Sequence, residues 1–279
     1  MRIESLIVFA VLAVFLVPLF AAETNSAITV GGTAGVANQF TLPKTAVKVA
    51  DDVYSLGEAA EDGVKLEGYA FIHRKELIRT GFISFRIPLK CYGFLSAGSK
   101  WKVTEPYILN PANADNLSDA FVADRINKSM EAWNSQIAFR VFGARINGTA
   151  DGADSIAPDG KNEIMFGRIG EKGAIAMTIV WGIFSGPVSG RKLVEYDMVF
   201  DDDDFKWGDA GQTSETRLGN TGIMDLQNVA THELGHAAGM GHPSDMCSQE
   251  TMYRFTKYGE TKKRTLYSGD IAGIKALYK

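Results

Sequence analysis

The segment Thr231-His232-Glu233-Leu234-Gly235-His236-Ala237-Ala238-Gly239-Met240-Gly241-His242 decides how this 279-residue chain reads. On an α-helix, positions i and i+4 share a face, so the imidazoles of His232 and His236 grip one ion from the same side, with Glu233 beside them. Gly239 tolerates a positive φ, ends the helix and turns the chain back, which lets His242 reach the same ion from a loop. Three neutral nitrogens suit Zn²⁺ and leave a fourth tetrahedral position open to water, the arrangement of a catalytic rather than a structural zinc site. A bare HExxH arises by accident, but five fixed residues at this spacing, three of them His, arise by chance in only ~1 in 10⁵ chains of this length. Three of the four histidines fall in this constellation, and the fourth, His73, reads as a surface or hydrogen-bonded histidine.

Around the motif, Leu226, Val229, Ala230, Leu234 and Ala237 keep helical spacing from Leu226 to Ala238. Upstream, Asn116-Leu117-Ser118 supplies a helix cap, and Val122, Ile126, Met130 and Trp133 predict an amphipathic helix to about Asn134. Ile137 to Phe142, Glu163 to Phe166, Ala174 to Trp181 and Glu195 to Phe200 read as strands, with a Gly- and Asp-rich loop at 147–162. A last helix runs from an Asp270 cap to about Tyr278. Helix, strands, helix, helix is the order of an α+β domain. Further upstream, Ile83, Phe85 and Ile87 alternate with Ser84 and Arg86 as short strands do. Residues 23–97 are therefore either an accessory β-segment or a removable prosegment, joined through Gly93, Ser96, Gly98 and Ser99 to a catalytic block at 98–279.

Composition narrows the setting. With 46% hydrophobic and 22% charged residues the chain buries a substantial core. A net charge of −4, with no cluster of Lys and Arg, excludes the cationic surface that nucleic-acid binding needs. Residues 1–22 hold an uncharged run from Leu6 to Ala22 with Pro18 near its end and small residues after it, the layout of a secretory signal; left uncut, the same run is an N-terminal membrane anchor. Either reading places the rest of the chain outside the cytoplasm, secreted or anchored at the cell surface. Two cysteines make no disulfide scaffold but allow one bridge there.

Met252-Tyr253 follows His242 by ten residues, and with it the motif resembles that of the metzincin zinc peptidases and their Met-turn. Within that clan the chain resembles the matrixins, supported by Gly173-Ala174-Ile175-Ala176-Met177-Thr178, by Val199-Phe200-Asp201-Asp202-Asp203-Asp204 ahead of Trp207, and by the ending Gly269 to Tyr278. The likeness runs from about Lys100 to the C-terminus and is nearest in look to short exported matrixin-like proteins of archaea, which share Cys91-Tyr92 and Lys100-Trp101. Residues 23–97 do not match the usual matrixin prosegment.

The resemblance implies a metzincin-type catalytic domain: a twisted mixed β-sheet with an active-site helix, a backing helix and a C-terminal helix. It implies His232, His236 and His242 as ligands of one catalytic zinc, Glu233 as general base and acid, and Met252 as a hydrophobic floor beneath the metal. Ala174, Ile175 and Ala176 would lie on an edge strand that pairs with an extended peptide, so the implied activity is a secreted zinc-dependent endopeptidase of broad choice acting on protein or peptide substrates. The three further histidines of a second, structural zinc are missing, with Val199 standing at one of their places, and Arg254 stands where matrixins commonly carry Pro. The acidic run is either a Ca²⁺ site, with Asp201 and Asp204 the ligands the resemblance points to, or a solvated turn. Cys91 and Cys247 either form a disulfide or leave Cys91 as a thiolate on the zinc in a latent precursor; the residues flanking Cys91 lack the marks of the matrixin cysteine switch, which favours the bridge. The competing function is a metal-bound extracellular binding or surface-structure module that cleaves nothing, and an intact Glu233 favours the enzyme.

Overall fold

The run Ala174–Ile183, AIAMTIVWGI, is apolar at nearly every position. Unbroken apolar character at strand length belongs to a strand covered on both faces, whereas a half-exposed strand alternates. The computed structural model, which describes residues 39–61, 63–76, 90–211 and 222–279, places this run inside a mixed sheet. The uncharged run at 6–22 and the alternation at 83–87 lie outside the described residues.

In chain order the first strands are β1 (Gln39–Phe40), β2 (Val47–Ala50), β3 (Val53–Glu61), β4 (Val64–Lys75), β5 (Gly93–Phe94) and β6 (Glu105–Leu109). Helix α1 (Asp119–Asn134) leads to β7 (Phe142–Arg145), β8 (Glu163–Ile169), β9 (Ala174–Ile183), β10 (Lys192–Asp201), β11 (Lys206–Gly208) and β12 (Ile223–Asp225). Helix α2 (Leu226–Ala237), β13 (Met240–Gly241), β14 (Phe255–Thr256) and helix α3 (Ser268–Leu277) complete the chain. The main sheet has the order β2-β3-β4-β9-β10-β8-β6-β7, with β1 against β8 and β14 against β4. Pairing is antiparallel from β2 to β10 and parallel from β10 to β7. This is the α+β architecture the sequence predicts, with α2 carrying the histidine motif.

Each face of the sheet has its own core. On one, Ile164, Phe166, Ile175, Val180, Tyr196, Met198 and Phe200 pack with Val122, Ile126, Met130 and Trp133 of α1, Val229, Ala230 and Leu234 of α2, and Ile274 and Leu277 of α3. On the other, Leu56, Leu66, Ala70 and Ile72 join Met165, Met177, Ile179, Trp181 and Val199. The N-terminal strands β3 and β4 thus extend the sheet beyond β9, and their side chains share this second core with Val199. Among the described residues, no helix is long and apolar enough to cross a membrane.

Local chemistry sets the helix ends. Ser118 Oγ accepts from Phe121 N at 3.2 Å to start α1, and Asp225 Oδ1 accepts from Asn228 N at 2.8 Å to start α2. Gly239, at φ 94°, reverses the chain after α2; a Cβ there would lie 2.8 Å from Ser99 O. Two expectations need correction. The strand expected at Ile137 to Phe142 begins only at Phe142, because Asn134 Oδ1 accepts from Val141 N and Phe142 N and holds the preceding residues in a turn. The last helix starts at Ser268, with Asp270 in its third position rather than at the cap; Asp270 Oδ2 accepts from Tyr267 N at 3.0 Å.

Candidate metal centre

His232 and His236 leave the same face of α2, and His242 returns from beyond β13. Their Nε2 atoms converge, His236 to His242 at 3.1 Å and His242 to His232 at 3.4 Å. His232 Nδ1 donates to Thr251 O at 2.7 Å and His236 Nδ1 donates to Met240 O at 3.0 Å, which fixes both tautomers and leaves both Nε2 atoms as lone pairs. Three imidazole nitrogens gathered at one point, two of them held as lone pairs, form a donor set that fits a divalent metal of the Zn²⁺ type. Burial favours the neutral form that metal binding requires: it pulls His236 down to about 3 and holds His232 and His242 well below the usual imidazole range.

Met252 is fully buried beneath the site. A Cβ at position 235 would collide with the Met252 sulfur and the Trp133 ring, which is why glycine stands inside this helix. The turn carrying Met252 is held by α3, since Asp270 accepts from Thr251 N at 2.6 Å and from Met252 N at 3.1 Å. The same turn presents the Thr251 carbonyl to His232, so α3 positions a metal-facing imidazole through one intermediate residue.

Glu233 is fully buried next to the imidazoles. Its Oε2 accepts from Thr178 Oγ1 of β9 at 2.6 Å, and its Oε1 shares a hydrogen bond of 2.9 Å with His73 Nδ1 of β4. Burial pushes its carboxyl up to about 8, against the Thr178 hydroxyl and the charge of Lys263, which both lower it. Lys263 is itself buried, with Nζ 3.4 Å from His73 Nε2, and burial draws it down to about 7. His73, expected at the surface or in a hydrogen bond, is in a buried hydrogen bond with the glutamate of the motif.

Ala174, Ile175 and Ala176, read from sequence as part of an edge strand, have neighbours on both sides. β10 lies along one edge of β9, and β4 pairs along the other, with Ala174 opposite Arg74 and Ala176 opposite His73. The structure corrects the edge expectation because an N-terminal strand has been added to the sheet. A cavity of about 470 Å³ stays open beside His242, lined by Tyr69, Phe71, Phe94, Leu95, Asp245 and Arg254 among others. Arg254 Nη2 pairs with Asp245 at 2.6 Å and Nη1 with Asp51 at 2.7 Å, which ties the segment after the Met-turn to the β2–β3 turn.

Cys91 and Cys247 form a disulfide with Cα atoms 5.5 Å apart, so Cys91 is no zinc ligand in this structure. Asp201 is buried, and its carboxylate accepts from Ile169 N and Asp204 N, each at 2.8 Å, and from Asp203 N at 3.2 Å, while Asp204 is exposed. Backbone amides therefore take up the Asp201 charge, and the two side chains serve different surroundings. Sequence reasoning missed Thr178, Lys263 and Asp270 as partners of the site. Thr178 stood inside a quoted stretch, but nothing local signalled that its hydroxyl meets Glu233.

An α+β sheet domain with three convergent imidazoles at a helix end, above a buried Met-turn, defines the metzincin class. The sequence profile of one family, Matrixin, matches residues 100–279, well over half of the chain, and the chain belongs to the matrixin family. It is similar to Metalloendoproteinase 1 of Glycine max, 38% identical over 79 residues that make up 28% of this chain and 24% of that protein. Metalloendoproteinase 1-MMP of Arabidopsis thaliana is 44% identical over 55 residues, 20% and 14% of the two chains, and Matrilysin of Homo sapiens is 39% identical over 77 residues, 28% and 25%. The chain spans a quarter or less of the length of these curated relatives. They bear on the family and lend nothing to the archaeal likeness.

Proposed function

We propose that the chain is a zinc-dependent endopeptidase acting outside the cytoplasm, with residues 98–279 as its catalytic block, one Zn²⁺ on His232, His236 and His242, and Glu233 as general base and acid. The observation that supports this most directly is the convergence of three imidazole Nε2 atoms next to a buried carboxyl. Bound there, Zn²⁺ would supply Lewis acidity toward a water and a scissile carbonyl. Glu233 takes the proton of that water and hands it to the departing amine. Thr178 orients the carboxyl through Oε2, and Met252 and Trp133 exclude water below the imidazoles. Ala174, Ile175 and Ala176 would offer the backbone of β9 to an extended peptide only with β4 displaced from that edge. Ca²⁺ at Asp201 and Asp204 belongs to the same reading, supported by the acidic run and by family membership.

The alternative, an extracellular metal-bound binding module, is favoured by one observation: the edge of β9 is filled by β4. Zinc content and digestion of an unfolded protein, measured together for the parent and for Glu233→Gln, separate the two. The variant keeps one zinc per chain and its unfolding temperature while kcat falls at least ~10²-fold, and a chelator abolishes parent activity until zinc is restored. A Glu233→Gln protein that digests as fast as the parent removes Glu233 from the mechanism.

A further inference from the structure

Three Asn-X-Ser/Thr triplets begin at Asn116, Asn127 and Asn147. In an exported chain such a triplet accepts an N-linked glycan where the Asn amide and the hydroxyl two residues on can be reached together. The fold treats the three differently. Asn127 lies within α1, and a helix turns about 100° per residue, so Asn127 and Ser129 leave nearly opposite sides of it. Ser129 is buried with its hydroxyl between Arg125 O, at 2.9 Å, and Thr231 Oγ1, at 3.0 Å, while Asn127 Oδ1 accepts from Tyr107 Oη at 2.9 Å. Asn116 takes a left-handed φ of 57°, and its triplet ends in Ser118, whose Oγ is committed to the amide that starts α1. Asn147 follows β7 in a stretch without helix or strand. Asn147 and Thr149 are both exposed, and neither side chain has a hydrogen bond among the described residues. The backbone on either side is held: Ile146 N donates to Tyr107 O at 2.9 Å, and Ala150 is buried in the second core.

What lies next to Asn147 gives a glycan something to do. β7 is the last strand of the main sheet, paired with β6 on one side and, among the described residues, with no strand on the other. Ala144 and Arg145 at its end are exposed, and Ile146 just beyond them is an exposed apolar side chain. An uncovered edge of this kind is a template for pairing with a second chain. We propose that Asn147 is the N-glycosylation site of this chain and that its glycan covers the open edge of β7. This rests on the reading that the chain acts outside the cytoplasm, since the donor, an oligosaccharide on a polyprenyl diphosphate, is met on the far side of the membrane that exported chains cross. Asn147 Nδ2 forms a bond to the anomeric carbon of the donor sugar and gives up one proton. The bond from that carbon to the phosphate oxygen breaks, and the polyprenyl diphosphate leaves with the electron pair. The result is a bulky, hydrated chain beside the edge. Four strand spacings, about 19 Å, separate β7 from β9, so the sugar is attached well away from the Glu233 carboxyl that Thr178 of β9 contacts.

The test expresses the full chain in a glycosylating eukaryotic host twice, once with its own N-terminus and once behind a host secretory leader. Enzymatic deglycosylation of the leader form lowers its intact mass by one glycan, and peptide mapping places that glycan on Asn147. Asn147→Gln and Thr149→Ala each abolish the mass shift, the second without touching the asparagine, whereas Asn116→Gln and Asn127→Gln keep it. Without the glycan, both Asn147→Gln and Thr149→Ala self-associate at least ~5-fold more strongly in light scattering at equal concentration, with zinc content and hydrolysis of an unfolded protein unchanged. A glycan on Asn116 or Asn127, or none on the leader form, overturns the proposal. Equal self-association of the glycosylated and bare forms overturns the covering of the edge. A leader form glycosylated at Asn147, beside a native form kept bare inside the cell, leaves the acceptor standing and sinks the export reading instead.

Discussion

At Glu195 the cost of burying a carboxyl can be read directly. Its Oε2 accepts from Gly160 N at 2.5 Å, while Oε1 meets no donor among the described residues, and the side chain is fully shielded from solvent. Burial pushes the acid from its usual range up to about 8, and the neighbouring Asp154 and Asp159 add to the shift. The folded state therefore holds this proton more tightly than the unfolded chain does. The stability linked to it is complete below the ordinary carboxyl range near 4.5 and is lost as pH rises through about 8. Glu195→Gln, whose amide oxygen still accepts from Gly160, leaves the melting temperature at pH 5 unchanged and raises it by ~2–4 °C at pH 8.5. Parallel pH profiles for parent and variant in a thermal melt would show that Glu195 ionises freely in the fold.

At the level of elements, the helix ends were legible because their signals are local. Ser118 and Gly239 act within a turn of their own position, and the sequence places both correctly. The strand at Ile137 to Phe142 was misread because its competitor is a side chain: Asn134 takes the amides of Val141 and Phe142, which β propensity does not count. Asp270 was legible as a helix-start residue but not as a bridge, since its second set of partners, Thr251 N and Met252 N, is nearly twenty residues away. That bridge predicts a coupled defect. Asp270→Asn replaces one acceptor by a donor facing an amide, which costs about 1–3 kcal/mol in denaturant unfolding. It also weakens zinc retention, because the displaced Thr251 carbonyl holds His232. A variant with the lower stability but unaltered zinc affinity would confine Asp270 to α3.

Across the whole molecule, the metal-facing triad could be read from one stretch of twelve residues, while the state of the cleft could not. His73 and Glu233 are 160 positions apart, and no spacing rule connects a strand near the N-terminus to a helix that far downstream. The apolar run of β9 signalled burial on both faces, yet the strand that pairs along its edge lies ahead of the stretch that the family profile matches.

The bridge at Cys91 has a consequence of its own. Beyond it, β5 pairs with β13, Leu95 N donates to Gly239 O at 2.9 Å, and Cys247 lies five residues past His242. The third imidazole is therefore enclosed in a ring of chain closed by sulfur at one end and by amide contacts at the other, whereas the first two stand on a helix that needs neither. A mild reductant should then make this protein leak its metal well before it melts. Zinc escape to a chelating dye, followed far below the melting temperature, quickens ~10-fold on reduction or in the double Cys91→Ser, Cys247→Ser variant, while helical circular dichroism holds steady. Equal escape rates would mean that the ring is ornamental to the ion it surrounds.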